Sequence, residues 1–168
     1  MGRWIHCFLT GITQKVVVGG ASSNIKEVIS GVPQGSVLGP LIFLIMIGDI
    51  DKSVLTAFLS SFADDTRVGH WVKTREDLQN LQKDLDNIYE WATKNNMEFN
   101  SSKFESLRYG ENRFPTVKQL DDQGEPIEVR DHVKDLGVYM SSDCTFGFHI
   151  RNVTVESRNL ANWVLIST

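Results

Sequence analysis

Two stretches of this chain decide its fold: residues 31–47, GVPQGSVLGPLIFLIMI, and residues 57–72, AFLSSFADDTRVGHWV. The first stretch joins a loop rich in glycine and proline to an apolar run, and the loop ends where Pro40 suits the first turn of a helix. Because the run is apolar on every side, it predicts a helix that is buried on several sides. A fully buried strand gives the same pattern over so short a run and stays open as the alternative.

The second stretch predicts a hairpin. Two segments, residues 57–62 and 67–72, flank the turn ADDT at residues 63–66 and would place two carboxylates at its tip. Taken alone, such a turn is more often ordinary solvated turn chemistry than a metal site. The pattern therefore predicts a structure here but leaves its function open.

The rest of the chain predicts further strands. Short β-branched or apolar segments separated by turn residues are typical of hairpins. They predict a hairpin of residues 14–18 with 26–29 around a turn at 19–24, another of 117–120 with 127–129, and a single strand at 134–140.

One long helix is also predicted. Apolar residues recur at helical spacing after Thr74, which suits the N-cap, and Asn95-Asn96 suits the end of the helix. The stripe consists of Leu78, Leu81, Leu85, Ile88 and Trp91. We expect it to pack against a sheet with the acidic face of the helix in water, and we expect Trp71 and Trp91 to be core residues.

The composition bounds the possible functions. The 168 residues fit one ordinary domain, and the net charge of −4 argues against a stand-alone nucleic-acid binder, which needs clustered lysine and arginine. No apolar run reaches the length of a membrane span or a signal peptide, so we expect no membrane partner and an intracellular protein. Cys7 and Cys144 lack the spacing of zinc ligands, and we expect free thiols rather than a disulfide.

The glycine loop and the hairpin can be combined into one chemical hypothesis. Transfer of a nucleotide by two metal ions needs carboxylates that hold the ions about 3.5–4 Å apart, and hard oxygen ligands on a rigid turn meet that need. Asp64 and Asp65 are the candidates. Glycines let a backbone approach a ligand closely, and the Gln34 amide can donate and accept hydrogen bonds, so the loop could line a nucleotide pocket. A tight helix-entry turn is the alternative interpretation of the loop.

These residues carry a family resemblance. The segment VPQGSVLGP at 32–40, followed by an apolar run and by FADD at 62–65, resembles the reverse transcriptases of LINE-type (non-LTR) retrotransposons, particularly the jockey-like group. Residues 91–103 resemble the helix-to-strand segment of that family, residues 133–138 resemble its primer grip, and the chain from His149 resembles the start of its thumb. The resemblance extends from Trp4 to about Leu165.

The resemblance implies a fold and an activity. The fold would be α+β, with the antiparallel sheet of a polymerase palm backed by helices and truncated at the N-terminus and at the thumb. Residues 1–148 would be a partial palm with primer-grip-like strands near 127–140, and residues 149–168 would start a thumb-like helix. The activity would be RNA-directed DNA synthesis from an RNA template, a DNA primer and deoxynucleoside triphosphates. The metal ion would be Mg²⁺, with Mn²⁺ as a substitute.

The resemblance also implies roles for individual residues. Asp64 and Asp65 would be the catalytic residues and metal ligands. Gln34 and Gly35 would contact the nascent base pair or the template, and Lys103 would act on the pyrophosphate leaving group or lie on an exposed strand as a surface charge. Phe62 and Ala63, which precede the aspartates, complete the candidate substrate-binding set.

The match is incomplete. The family's first palm motif, with another essential aspartate, would lie before Trp4, and no aspartate precedes the glycine loop. We therefore expect the chain to be inactive alone and to act with the fingers, thumb and endonuclease of a longer polyprotein, found in the nucleus and cytoplasm. A non-catalytic remnant that acts as a binding protein is the main alternative, and a metal-dependent nuclease or phosphatase using Asp64 and Asp65 is a third. A further expectation is exposed apolar surface with poor solubility.

Overall fold

The computed structural model describes residues 2–29, 31–110, 114 and 116–166. The chain divides into two compact units, where the length suggested one domain. The first unit comprises residues 1–51 and 60–67, and the second comprises residues 52–59 and 68–168.

The first unit begins with a helix that the sequence patterns did not predict. Helix α1, Gly2–Leu9, has no buried residue. Trp4 and Phe8 stack on it with ring centroids 5.4 Å apart, as residues four apart do on one helix face. Its apolar positions span little more than two turns, which is too short a window for periodicity to reveal a helix.

Two nested strand pairs follow. Strand β1, Thr13–Gln14, pairs with β4, Lys26–Glu27, and strand β2, Val17–Val18, pairs with β3, Ala21–Ser22. The outer pair confirms part of the predicted hairpin, but the turn at 19–24 was predicted too long. The actual turn is Gly19-Gly20, where φ is +58° and +85°, and two such residues suit a two-residue hairpin turn.

Helix α2, Gly39–Ile47, confirms the helix interpretation of the apolar run and excludes the strand. A proline lies in its first turn, as predicted. The expectation of burial on several sides was wrong, because among the described side chains the buried ones are Gly39 and Ile47, at its two ends. Ile42 and Phe43 are half-buried, and the exposed fractions are 54% for Leu41, 51% for Leu44, 72% for Ile45 and 42% for Met46. After α2, the 3₁₀ turn Ile50–Ser53 places Ile50 in the core.

The predicted second hairpin is present with a tighter turn. Strand β5, Phe58–Phe62, pairs with β6, Asp65–Gly69. The turn is Ala63-Asp64 alone, so Asp65 and Thr66 belong to β6 rather than to the turn. Residues 70–72 were predicted as strand and are not, and Trp71 is 83% exposed, which contradicts its assignment to the core.

Helix α3, Arg75–Lys94, confirms the best-defined prediction of the sequence. Thr74 is its N-cap and forms a capping box with Asp77, each side chain accepting a hydrogen bond from the other residue's backbone N–H. Asn95 is the C-cap and Asn96 has a φ of +53°, as residues after a helix end often do. Leu78 and Ile88 of the predicted stripe are buried.

The chain after α3 differs most from the prediction. Strand β7, Glu105–Leu107, pairs with β8, Glu128–Arg130, and the pair is parallel. The predicted hairpin around residues 121–126 is reduced to an isolated bridge between Leu120 and Pro126 with a hydrogen bond from Ile127 N–H to Gln119 O of 2.8 Å. Sequence patterns could not indicate this, because the partner of β8 lies more than twenty residues upstream along the chain.

The last part of the second unit is a hairpin and a long helix. Strand β9, His132–Asp135, pairs with β10, Val138–Ser141, around Leu136-Gly137, where φ is +45° and +87°. The prediction of one strand through this region was therefore wrong. Helix α4, Gly147–Ile166, packs its first turns on this hairpin: the Phe148 ring stacks on His132 at 3.9 Å.

The described strands form five two-stranded sheets, four antiparallel or hairpin pairs and the parallel β7–β8 pair. The structure is thus a mixture of helices and small sheets, and the single palm-type sheet expected from the resemblance is not seen in the described part of the chain. The apolar residues that are buried in the described ranges are Ile47, Ile50, Leu78, Ile88 and Ala92. The expected exposed apolar surface is confirmed, with Ile29 92% and Val37 94% exposed.

Candidate metal and nucleotide site

The β5–β6 hairpin presents the two candidate carboxylates. Asp64 is the second residue of the two-residue turn, Asp65 is the first residue of β6, and both are exposed. Ala63, the first turn residue, has a φ of +52°, a conformation that a tight hairpin demands and that residues with a side chain rarely adopt. Asp64 therefore lies on a short and conformationally restricted turn and Asp65 directly after it, and both side chains are exposed and accessible to a cation.

Side chains on both strands support the hairpin. Near the tip, the hydroxyls of Ser61 and Thr66 form a cross-strand hydrogen bond of 3.1 Å. At the other end, the Phe58 ring covers Gly69 so closely that a Cβ at Gly69 would overlap the ring. An aromatic ring over a glycine on the neighbouring strand is a recognised way of stabilising a strand pair. These contacts fix the register of the strands that end at the aspartates.

Hydrogen bonds within the glycine loop, residues 31–40, stabilise its conformation. The Ser36 hydroxyl donates to Pro33 O at 2.7 Å and accepts from Gly39 N–H at 2.9 Å. A Cβ on Gly39 would lie 2.9 Å from both of those oxygens, so this position requires glycine for close backbone approach. The internal structure of the loop thus depends on two residues, Ser36 and Gly39, that sequence reasoning did not single out.

The predicted contact residues of the loop are available to a ligand. Gln34 and Gly35 are exposed, Gly35 has a φ of +78°, and a Cβ built on it meets no atom within 4 Å. The loop and the turn with Phe62 and Ala63, both also exposed, belong to the same compact unit. Six of the seven predicted site residues are therefore in the first unit.

Lys103 is the exception, since it belongs to the second unit. It ends a 3₁₀ turn, Ser101–Lys103, rather than lying on a strand, and it is exposed. Its backbone N–H donates to Asn100 O at 2.9 Å. Phe99 and Phe104, on either side of the turn along the chain, form an aromatic cluster with Tyr89 of α3, with ring centroids 5.9–6.0 Å apart.

The two carboxylates do not by themselves form a complete set of metal ligands. Hard oxygen ligands such as those of Asp64 and Asp65 suit Mg²⁺ or Mn²⁺. In the part of the chain that the structure describes, no three acidic, histidine or cysteine side chains come together as metal ligands. The residues present fit one side of a two-metal site.

The structure also reveals a buried acid that sequence reasoning missed. Asp84 on α3 is 1% exposed and accepts four hydrogen bonds from the segment that leads into β5. Burial raises the pKa of this carboxyl, but the bonds from Thr56, Leu55 and Ala57 outweigh burial and hold the pKa below its usual value. The signal was present: Asp84 lies three residues after Leu81 and four before Ile88, inside the apolar stripe rather than on the acidic face.

Comparison with known proteins identifies the family. Residues 1–140 match the family described as reverse transcriptase (RNA-dependent DNA polymerase), so the chain belongs to that family. It is 32% identical over 162 residues to an RNA-directed DNA polymerase from the mobile element jockey of Drosophila melanogaster, a match that covers 89% of this chain and 17% of that protein.

Two further relatives are similar over almost the whole chain. The jockey polymerase of Drosophila funebris is 29% identical, with 96% of this chain and 19% of the relative covered. A probable RNA-directed DNA polymerase from transposon X-element of Drosophila melanogaster is also 29% identical, with 92% of this chain and 17% of the relative covered. The chain thus spans less than a fifth of the length of these relatives.

No solved structure matches this chain. None of the helices in the described ranges is both long enough and apolar enough to cross a membrane. Cys7 and Cys144 are both free and exposed, which confirms the expectation of free thiols.

Proposed function

We propose that this chain is a palm segment of an RNA-directed DNA polymerase and that it presents Asp64 and Asp65 as metal ligands. The observation that carries the proposal is the two-residue turn, which exposes both carboxylates at the end of a supported hairpin in a member of the reverse transcriptase family. The partners would be an RNA template, a DNA primer and deoxynucleoside triphosphates, bound by a longer polypeptide that includes this segment.

The cation would be Mg²⁺, with Mn²⁺ as a substitute. When bound, two such ions activate the attacking primer oxygen and stabilise the leaving pyrophosphate. Asp64 and Asp65 would hold the ions from one side, and the exposed backbone of Ala63 and the ring of Phe62 would border the incoming nucleotide. Gln34 and Gly35, which are both exposed, would contact the nascent base pair or the template.

Cation binding at the turn can be tested on the chain itself. Titration with Mn²⁺ should broaden the amide NMR signals of Asp64 and Asp65 first, and Asp64→Asn or Asp65→Asn should abolish this selectivity. Asp122→Asn is the matched control, since Asp122 is an exposed aspartate that also follows another aspartate in a turn. Broadening that is equal at both acidic turns, or unaffected by the substitutions at 64 and 65, would overturn the proposal.

We further propose that the 168-residue chain does not extend a primer by itself. Two adjacent carboxylates leave a two-metal site half built, and loss of one catalytic group commonly lowers a rate by orders of magnitude. An extension assay on an RNA template with Mg²⁺ should show no product above that of the Asp64→Asn variant. Mg²⁺-dependent product from the wild-type chain alone would contradict this.

A second candidate function is that of a non-catalytic protein that derives from a retrotransposon and acts by binding. The absence of a three-ligand cluster in the described residues and the exposed apolar residues of α2 favour it. The Mn²⁺ titration separates the two candidates, because a binding protein has no need for selective cation affinity at Asp64 and Asp65.

A further inference from the structure

Asp84 makes an unusually complete set of contacts with three consecutive residues. Its Oδ1 accepts from Leu55 N–H at 2.8 Å. Its Oδ2 accepts from Thr56 N–H at 2.9 Å, from the Thr56 hydroxyl at 2.7 Å and from Ala57 N–H at 2.7 Å. All four distances are those of strong hydrogen bonds to a charged acceptor. One carboxylate on helix α3 therefore fixes the backbone of residues 55–57.

A buried carboxylate needs such compensation. An ionised acid removed from water is costly unless hydrogen bonds replace its hydration, and Asp84 is the most deeply buried polar side chain described in this structure. An apolar residue at this position of the stripe would pack against the core without that cost. The presence of an acid instead points to a need to hold the bonded segment in one conformation.

The bonded segment leads directly into the strand of the candidate site. Ala57 precedes β5, and β5 ends at Phe62, next to the Ala63-Asp64 turn. β5 pairs with β6, so order at the start of β5 supports the strand pairing that ends in the turn. The first residue of β5, Phe58, also covers Gly69 of β6, so both strands are tied near the segment that Asp84 holds.

We propose that Asp84 is a positioning residue for the candidate metal site: by fixing residues 55–57 against α3, it holds the start of β5, and through the β5–β6 pairing it keeps the turn with Asp64 in its two-residue form. The inference rests on the proposed function for the role of Asp64. The anchoring of the hairpin by Asp84 can be tested independently of that role.

Hydrogen exchange, read by mass spectrometry, tests the anchoring. Thr56→Val, which removes only the hydroxyl donor, should accelerate exchange in β5 and β6 by about tenfold, the effect expected from losing one hydrogen bond to a charged group. Asp84→Asn disturbs all four bonds and should accelerate it by more than that. Exchange in β9 and β10 should accelerate clearly less, because those strands share only the general loss of stability of the second unit. Thr56→Ser keeps the hydroxyl and should restore the wild-type pattern. Uniform acceleration over the second unit would show a general contribution to stability and would overturn the proposal.

The matched control is Asp86→Asn. Asp86 lies two residues further along α3, is exposed, and accepts a bond of 2.8 Å from the Gln82 amide. This variant removes the same negative charge from the same helix, but it should leave exchange in the hairpin unchanged. Acceleration in the hairpin equal to that of Asp84→Asn would attribute the effect to charge and would also overturn the proposal.

Mn²⁺ binding provides the readout that a purely structural residue would not change. In Thr56→Val, selective broadening of the Asp64 and Asp65 amides should require at least about threefold more Mn²⁺, while Thr56→Ser should match the wild type. Unchanged Mn²⁺ binding together with a loosened hairpin would overturn the positioning role. If the wild type shows no selective broadening, the proposed function fails, and the exchange pattern alone decides whether Asp84 anchors the turn.

Discussion

Substitution of Asp84 by asparagine should destabilise the second unit by about 2–4 kcal/mol. Asparagine keeps one carbonyl oxygen for the three donors that meet Oδ2, but its amide group would face the Leu55 N–H. Hydrogen bonds to charged acceptors contribute about 1.5–3 kcal/mol and neutral ones about 0.5–1.5 kcal/mol. One bond is lost and three are weakened, and the total is reduced because Leu55 and Thr56 are exposed and their donors can bond to water.

Urea unfolding measures this effect. Trp91 lies half-buried on α3 and reports on the second unit when the other three tryptophans are replaced by phenylalanine. At a slope of about 1–3 kcal/mol per molar urea, the midpoint should fall by roughly 1–2 M with the slope unchanged. A loss below about 0.5 kcal/mol, the range typical of surface substitutions, would refute the reasoning that the four bonds hold this segment.

The stability difference between the wild type and Asp84→Asn should depend on pH in one direction. The folded protein holds the pKa of Asp84 below its ordinary value of 3.8, so the charged form is stabilised by folding. The contribution is fully present above the unfolded pKa and is lost as the pH falls through the lower folded pKa. The stability gap between wild type and Asp84→Asn should therefore be constant near neutrality and should narrow below about pH 4. A gap that widens on acidification would contradict this assignment.

Three further substitutions test the local structure. Thr74→Ala removes the N-cap of α3 and should cost about 1 kcal/mol in thermal unfolding, whereas Thr74→Ser should cost little. Gly69→Ala should cost about 1–3 kcal/mol because its methyl group overlaps Phe58, and a double-mutant cycle with Phe58→Ala should recover most of that loss; an additive cycle would show that the ring moves away freely. Gln119→Leu removes a buried amide that donates at 2.8 Å to the α3 backbone and should cost about 1–3 kcal/mol, while the exposed Gln123→Leu should be near neutral; equal effects would contradict the burial argument.

Local signals in the sequence were sufficient for the elements that depend on local chemistry. The N-cap at Thr74, the stop at Asn95 and the proline at the start of α2 are all properties of a few adjacent residues, and the structure confirms each of them. The β5–β6 hairpin was also predicted, with Asp64 on its turn. Its turn proved shorter because Ala63 adopts positive φ, which residue type did not indicate.

Elements that depend on distant partners could not be predicted. The β7–β8 pair is parallel and joins segments far apart along the chain, and the sequence carries no signal for that choice. Burial was misjudged for the same reason: Trp71 and the apolar residues of α2 have core-like composition, but the described residues do not cover them. Asp84 was overlooked because acidic residues of this helix were assigned to its solvent-exposed face, although the position of Asp84 within the apolar stripe indicated burial.

The sequence predicted which residues belong to the candidate site but not the contacts that hold them in place. Sequence motifs identified the family and the exposed carboxylates, and the structure places six of the seven candidate residues in one unit. What the motifs could not supply were the residues that support the site, such as Ser36 and Gly39, because their roles depend on hydrogen bonds within the folded loop.

Helix α4 is packed against other residues at its start but is exposed further along. Its first turns stack on β9 and β10 through Phe148, but every described side chain from 153 to 163 is exposed, including Val153, Val155 and Leu160. A free-standing helix of this length is marginal in water, and β-branched residues weaken it further. On warming, circular dichroism should therefore show a gradual, non-cooperative loss of helical signal before the sharp transition of the second unit, so that one continuous helix melts in two stages.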